Sequence, residues 1–189
     1  MEWNDHSRDV VEGSHAFLGA SQYHWLNYTD EKLVENYKSR IAVKRGTELH
    51  EFAAQCIRLK QQLKGSHKTL NMYVNDAIGF NLSPEVLLYY SDNCWGTADA
   101  IGFRKNFLRI HDLKTGVIPA SFRQLEIYAS LFCLEYRIKP EQLNGIELRI
   151  YQNDDILIGK PEPDDINPII SRIKHFDKLL DQVKEEEGV

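Results

Sequence analysis

Three β-like segments that follow one another between residues 84 and 114 constrain the fold most strongly. Their sequences are PEVLLYYS, WGTADAIGFR and NFLRIHDLK, and only short, turn-rich gaps separate them. Gaps this short join antiparallel neighbours, because a parallel crossover needs a dozen or more residues. The sequence therefore predicts an antiparallel meander of three strands.

Helical patterns flank the predicted meander. Thr29 and Thr47 stand where they can cap two helices, DEKLVENYKSRI and ELHEFAAQCIRLKQQL, with Gly46 interrupting between them. The segment KTLNMYVNDAIGF is ambiguous, with a further helix as one possibility. After the meander, Pro119 opens a helical run, PASFRQLEIYASLFCLEYR, which Pro140 ends.

Apolar residues recur at helical spacing in these segments, which predicts the faces that pack on the sheet. The predicted core positions are Leu49, Phe52, Ala53, Cys56 and Leu63, then Phe122, Leu125, Ala129, Phe132 and Tyr136, and in a last helix over about residues 165–185 Ile169, Ile173, Phe176 and Leu180. GIELRIYQ is a further strand that a helical crossover adds to the same sheet. The predicted class is α/β, with a central mixed sheet flanked by helices.

Composition narrows the class of protein. The chain has 189 residues, of which 42% are hydrophobic, so it can form one ordinary domain with a substantial core. Its N-terminal segment MEWNDHSRDVVEG is too polar for a secretory signal, and no apolar stretch is long enough for a bilayer. Cys56, Cys94 and Cys133 are widely spaced, which favours buried thiols in a reducing cytoplasm. The net charge of −5 excludes a protein that coats nucleic acid non-specifically. Any binding to nucleic acid would require a local basic surface or bound cations.

The heptapeptide IHDLKTG ends the third predicted strand with an acid and a base. Side chains alternate along a strand, so Leu108, Ile110, Asp112 and Lys114 share one face, and the last two emerge where the strand leaves the core. Asp99, on the neighbouring strand, can reach the same edge. Two close carboxylates repel each other, so a metal ion, a shared proton or a salt bridge must offset them. A structural salt bridge to Lys114 is the simplest alternative to a catalytic or metal-binding role.

Several motifs occur in one order: GTELHEFA with His50, GTAD with Asp99, DLKTG with Asp112 and Lys114, and the helical RQLEIYA. This ordered set resembles the PD-(D/E)xK nuclease superfamily, and more narrowly its RecB-like branch, which includes phage-type exonucleases. The resemblance covers about residues 45–130, and HAFLGASQYHWLN is similar to the N-terminal segment of phage members. It implies a restriction-endonuclease-like core.

The implied organisation is a single nuclease domain over residues 1–189. An N-terminal irregular and helical extension occupies 1–45, the catalytic core 46–160 and a C-terminal helix 161–189.

The resemblance also implies the roles of individual residues. His50, Asp99, Asp112 and the backbone carbonyl of Leu113 would be metal ligands, and both carboxylates count as catalytic. Lys114 would orient the attacking water and stabilise charge on the phosphate. Taken alone, His50 is more often an ordinary helix histidine.

Two residues of the following helix match the Q-x-x-x-Y pattern of the RecB-like branch. Gln124 and Tyr128 lie one helical turn apart, and the resemblance implies that they contact the DNA backbone. Core packing alone is an equal alternative for Tyr128.

The implied cofactor is Mg²⁺ or Mn²⁺, as one or two ions, because oxygen ligands suit both and a histidine favours Mn²⁺. The chain lacks the cysteine quartet of some relatives, so no iron–sulfur cluster is expected. The expected function is a metal-dependent DNA exonuclease in phage or prophage recombination or DNA processing, in the cytoplasm of a bacterial host. A restriction or junction-resolving endonuclease of the same superfamily and a non-catalytic DNA-binding protein remain open. So does a homo-oligomer or a recombination partner protein.

Overall fold

The computed structural model describes residues 16–116 and 118–188, except for the side chain of Gln22. The N-terminal segment MEWNDHSRDVVEG lies outside the described residues. The chain divides into two compact units, one ending at Arg45 and the other beginning at Gly46.

The first unit contains a 3-10 helix, Ala20–Asn27, within the region predicted to be irregular. The indole Nε1 of Trp25 donates a hydrogen bond of 3.0 Å to the carbonyl of Gly19. Phe17 meets Tyr37 edge-on, with 5.0 Å between ring centroids. The second contact joins the segment before the short helix to Tyr37, further along the same unit.

The longest helix, α1 (Asp30–Arg58), is continuous. Thr29 caps it as predicted, since its Oγ1 accepts a 3.3 Å hydrogen bond from the backbone N–H of Lys32. The predicted interruption at Gly46 and the second cap at Thr47 are wrong. A glycine inside a helix costs only about 1 kcal/mol relative to alanine, which is too little to end a helix supported on both sides.

The second unit is built on one mixed five-stranded sheet. Its strands are β1 (Ser83–Ser91), β2 (Cys94–Arg104), β3 (Phe107–Leu113), β4 (Gly145–Gln152) and β5 (Asp155–Gly159), in the spatial order of the chain. β1, β2 and β3 form the predicted antiparallel meander, and β4 pairs parallel to β3 as the predicted crossover strand. The α/β class with a mixed sheet flanked by helices is therefore confirmed.

The edge strand β5 was not predicted from the sequence. It pairs antiparallel with β4 through a two-residue turn in which Asn153 and Asp154 have φ of 52° and 59°. Asparagine and aspartate tolerate this left-handed conformation, so the dipeptide was a usable hairpin signal.

The described part of the unit has three further α-helices, α2 (Thr69–Gly79), α3 (Arg123–Glu135) and α4 (Pro163–Glu187), and a short 3-10 helix, Pro140–Gln142. The helix suggested for KTLNMYVNDAIGF is thus present as α2. The prediction that Pro119 opens α3 is wrong. Near Pro119, the backbone carbonyl of Ile118 and the N–H of Ala120 instead bond to the side chain of Gln152. These groups are therefore not used for a helical turn.

The sheet carries an apolar cluster on each face. One lies under α3 and α4 and includes Leu108 and Ile110, and the other lies under α2 and the end of α1. Among the predicted core positions, the buried ones are Ala53, Cys56, Leu125, Ala129 and Phe132. The exposed ones, where the prediction is wrong, are Leu49, Phe52, Tyr136, Phe176 and Leu180. Helical spacing alone therefore overestimated how far each helix is covered.

The face under α2 also holds an ionic layer. Glu147 Oε1 accepts hydrogen bonds from Arg109 Nε at 3.1 Å and Arg149 Nε at 3.0 Å. Arg149 Nη1 lies 3.0 Å from Asp76 Oδ2, which also accepts a 2.7 Å hydrogen bond from the Tyr151 hydroxyl. Each charge has an opposite partner, so the layer is neutral and structural.

Within the described part of the chain, no helix combines the length and the apolar character needed to span a bilayer.

The turn between β4 and β5 is fastened to α2 by Asp154. Its Oδ2 lies 2.7 Å from Lys68 Nζ, and its Oδ1 accepts a 2.9 Å hydrogen bond from the backbone N–H of Thr69. These contacts, the one to Lys68 first, lower the pKa of Asp154 to about 2. A carboxylate at the start of a helix also suits the helix dipole.

We expect Asp154→Asn to lower the melting temperature at neutral pH by a few degrees, because asparagine tolerates the positive φ but lacks the charge. A lowered carboxyl pKa stabilises the fold above the ordinary pKa of 3.8 and loses this effect as the pH falls through about 2. Thermal unfolding between pH 7 and pH 2 should therefore show a difference that is constant above about pH 4 and shrinks below it. Glu186→Gln, at an exposed carboxylate, is the control.

Candidate active site

The candidate site forms where β2 and β3 part. Their ladder ends with Ala100 opposite His111, one residue before Asp99 and Asp112. The Asp99 carboxylate then takes the place of a backbone partner, because its Oδ2 accepts a 2.9 Å hydrogen bond from the N–H of Leu113. Strand register thus brings the two predicted carboxylates to the same end of the sheet.

Asp112 is buried, contrary to the expectation of an open edge. Its side chain is 2% exposed, and Lys114 Nζ lies 2.9 Å from Oδ2 and 3.2 Å from Oδ1. Only the contact to Oδ1 has hydrogen-bond geometry, so Oδ2 has no hydrogen bond in the described structure. Burial first, and then the charge of Asp99, raise the pKa of Asp112. The carboxylate is therefore held where a second positive charge would stabilise it.

His50 approaches these carboxylates from α1. Its Nδ1 lies 3.2 Å from Asp99 Oδ2. The hydrogen bond with Asp99 raises the pKa of His50, against the opposing effect of burial. His111 is on the other face of the sheet from Asp112, with its Nδ1 3.2 Å from the Tyr151 hydroxyl.

A chain of polar contacts leads from Lys114 onto α3. Lys114 Nζ donates a 2.7 Å hydrogen bond to Gln124 Oε1, and Gln124 Nε2 donates one of 3.0 Å to the Tyr128 hydroxyl. The Tyr128 ring packs on Gly96 of β2, where a Cβ would lie 2.9 Å from Cε1. Tyr128 therefore combines packing with a polar contact to the site.

Tyr73 is a member of this neighbourhood that the sequence analysis missed. It lies on α2, is 2% exposed and packs edge-on against Tyr151 at 5.5 Å. Burial, followed by the charges of Asp99 and Asp112, raises its pKa. The apolar helical pattern around it indicates only a core position, so no signal in the sequence distinguishes it.

A small cavity adjoins the site. Its volume is about 220 Å³, and Leu113, Lys114 and Thr115 line it together with Leu49. A larger cavity of about 770 Å³ lies at the other end of α3, around Arg137. Volume and chemistry therefore point to different places, and we place the candidate site around the buried carboxylate of Asp112, whose pKa is raised.

The fit to a divalent cation rests on the acids. Within the described residues, no group of three or more His, Cys, Asp or Glu side chains is arranged as a metal site. His50 Nδ1 lies 3.2 Å from Asp99 Oδ2, and Lys114 Nζ lies 2.9 Å from Asp112 Oδ2, so each carboxylate has a basic side chain beside it. Nevertheless, a buried carboxylate oxygen without a hydrogen bond has the donor chemistry that Mg²⁺ and Mn²⁺ prefer.

All predicted site residues lie at one end of the sheet: His50, Asp99, Asp112, Leu113 through its backbone, Lys114, Gln124 and Tyr128. Comparisons of the chain with protein-family models, curated proteins and solved structures find no match. The site is therefore interpreted from its own geometry.

Gly46 sets how closely α1 approaches the segment after Lys114. A Cβ at this buried glycine would lie 2.9 Å from Thr115 Oγ1, and among the described residues outside its own helix turn no other atom lies within 4 Å. Replacing a helical glycine by alanine ordinarily stabilises a protein by about 0.5–1 kcal/mol.

We expect Gly46→Ala to lack this gain and to lower the melting temperature instead. Gly79→Ala, at a helical glycine with open space around it, should show the gain. In a Thr115→Ala background, Gly46→Ala should become stabilising because the obstructing oxygen is gone. Thermal unfolding of the four-member cycle measures the coupling, and additive effects would contradict the close approach.

Proposed function

We propose that this chain is a metal-dependent deoxyribonuclease with a restriction-endonuclease-like core of the PD-(D/E)xK type, and that it acts as an exonuclease. The observation that carries the proposal is the convergence of Asp99, Asp112 and Lys114 at the parting of β2 and β3, with His50 beside them. The parallel β3–β4 pair, linked through α3, supports the proposed core.

Asp99 and Asp112, helped by His50 and the carbonyl of Leu113, would hold one or two Mg²⁺ or Mn²⁺ ions. A bound ion of this kind supplies Lewis-acid stabilisation of charge on a phosphoryl group and lowers the pKa of water. The burial of Asp112 favours such binding, because two carboxylates in a poorly solvated site repel each other strongly.

Lys114 would act directly on the phosphate. An ammonium group has three donors and no lone pair, so it cannot ligate a metal but can stabilise developing negative charge. Asp112 and Gln124 hold its Nζ from two sides, which fixes the position of the charge. Gln124 and Tyr128, one turn apart on α3, present an amide and a hydroxyl to the adjoining DNA backbone.

The principal competing interpretation is a structural ion pair between Asp112 and Lys114. A pair that only stabilises the fold should give both carboxylate oxygens a hydrogen bond, because a buried oxygen without one is costly. Here Asp112 Oδ2 lies 2.9 Å from Lys114 Nζ, so its charge is paired, but it has no hydrogen bond. This favours a role in binding, and a non-catalytic DNA-binding protein is the outcome if cleavage is absent.

We expect Lys114→Ala to lower the cleavage rate by roughly 10²–10³-fold while Mn²⁺ binding persists, because the lysine stabilises charge without ligating the metal. Asp112→Asn should lose both cleavage and Mn²⁺ binding. Calorimetry with Mn²⁺ and cleavage of labelled DNA measure the two effects, and Lys178→Ala, at an exposed lysine of α4, is the control. Cleavage at the wild-type rate by Lys114→Ala would reduce the pair to a salt bridge.

We expect linear DNA to be degraded from its ends while closed circular DNA survives, in the presence of Mg²⁺ or Mn²⁺ but not of EDTA. The resemblance of RQLEIYA to RecB-like exonucleases is the basis for this direction. Gel analysis of both substrates at equal nucleotide concentration decides between the two nuclease classes. Equal rates on the two forms would favour the endonuclease.

A further inference from the structure

Gln152, the last residue of β4, directs its whole side-chain amide at one loop. Its Nε2 donates hydrogen bonds to the carbonyl oxygens of Gly116 at 2.6 Å and Ile118 at 2.8 Å, and its Oε1 accepts one of 3.2 Å from the N–H of Ala120. The side chain is buried, with the residue 7% exposed. The amide nitrogen faces two carbonyl oxygens and the amide oxygen faces an N–H group, so only one orientation of the amide fits.

This loop connects Lys114 to Gln124, two residues that are hydrogen-bonded to each other at the candidate site. It begins after Lys114 and ends before α3, which carries Gln124. The residue before Gln152 contributes as well, because the carbonyl of Tyr151 accepts a 2.9 Å hydrogen bond from the backbone N–H of Lys114. Two successive residues of β4 thus fix the chain immediately after the site.

The end of β3 is paired and α3 is packed, and the described residues between them, 114–116 and 118–122, form no helix or strand. Ala120 and Phe122 pack against the apolar cluster under α3 and α4, and Gln152 binds the backbone at residues 116, 118 and 120. A glutamine that satisfies three backbone groups replaces the missing secondary structure. Because the loop connects Lys114 to α3, its path contributes to the 2.7 Å distance between Lys114 Nζ and Gln124 Oε1.

We propose that Gln152 is a positioning residue for the candidate nuclease reaction, which fixes Lys114 relative to Gln124 through the 116–120 loop. This positioning role rests on the proposed function and involves no contact of Gln152 with DNA or metal. A displacement of about 1 Å in a catalytic group commonly costs about 10²-fold in rate. The carboxylates lie on β2 and β3, outside the loop, so metal binding should not depend on Gln152.

The test compares Gln152→Leu and Gln152→Glu with the wild type. Leucine leaves all three loop groups without their partner, whereas glutamate keeps an acceptor for Ala120 and sets a carboxylate oxygen against the carbonyls of Gly116 and Ile118. Gln182→Leu is the matched control, since the side chain of this exposed glutamine of α4 makes no hydrogen bond to the described residues. Each variant is assayed for kcat and KM on linear DNA, Mn²⁺ affinity by calorimetry, and exchange of the Ala120 amide.

We expect both Gln152 variants to lose about 10-fold to 10²-fold in kcat, with KM and Mn²⁺ affinity within about twofold of the wild type and faster amide exchange at Ala120. Unchanged kcat with faster exchange would overturn the positioning role. A fall in kcat accompanied by an equal rise in KM and an equal loss of Mn²⁺ affinity would show general damage to the protein and would also overturn the positioning role. Absence of cleavage by the wild type would instead overturn the proposed function, and exchange would still report whether the clamp exists.

Discussion

The interaction on which the site depends is the neutralisation of a buried carboxylate. Asp112 lies almost fully inside the protein, beside a second carboxylate, so the sheet end requires positive charge nearby. Lys114, directly after the same strand, provides this charge, and His50 from α1 contacts the second carboxylate, Asp99. Gln124 then holds the lysine from α3. Elements on both sides of the sheet are thereby tied to one point.

Sequence patterns were informative where the physics is local. Alternation along the third predicted strand placed Asp112 and Lys114 on one face, and in the structure Lys114 Nζ lies 2.9 Å from Asp112 Oδ2. The spacing of Gln124 and Tyr128 likewise follows from the helical period alone. These residues are brought together by rules that a single sequence contains.

Other features depend on neighbours far along the chain. The burial of Asp112, the place of Tyr73 on α2 and the late start of α3 each follow from packing or from the distant Gln152. Gly46 illustrates the same limit. As a local signal it indicated a helix end, whereas its actual setting is the close approach of Thr115. No periodicity within α1 reveals a contact with residue 115.

The parallel pairing of β3 with β4 has a consequence for how the protein acquires its structure. The meander can form early, since hairpin closure joins residues that are near in sequence, and it already contains both carboxylates. Phe107, however, must find Gly145 across the whole of α3, and such non-local pairing is intrinsically slow. The two carboxylates are therefore joined by contacts that are local in sequence, whereas the backbone at Lys114 depends on a partner, Tyr151, beyond the whole of α3.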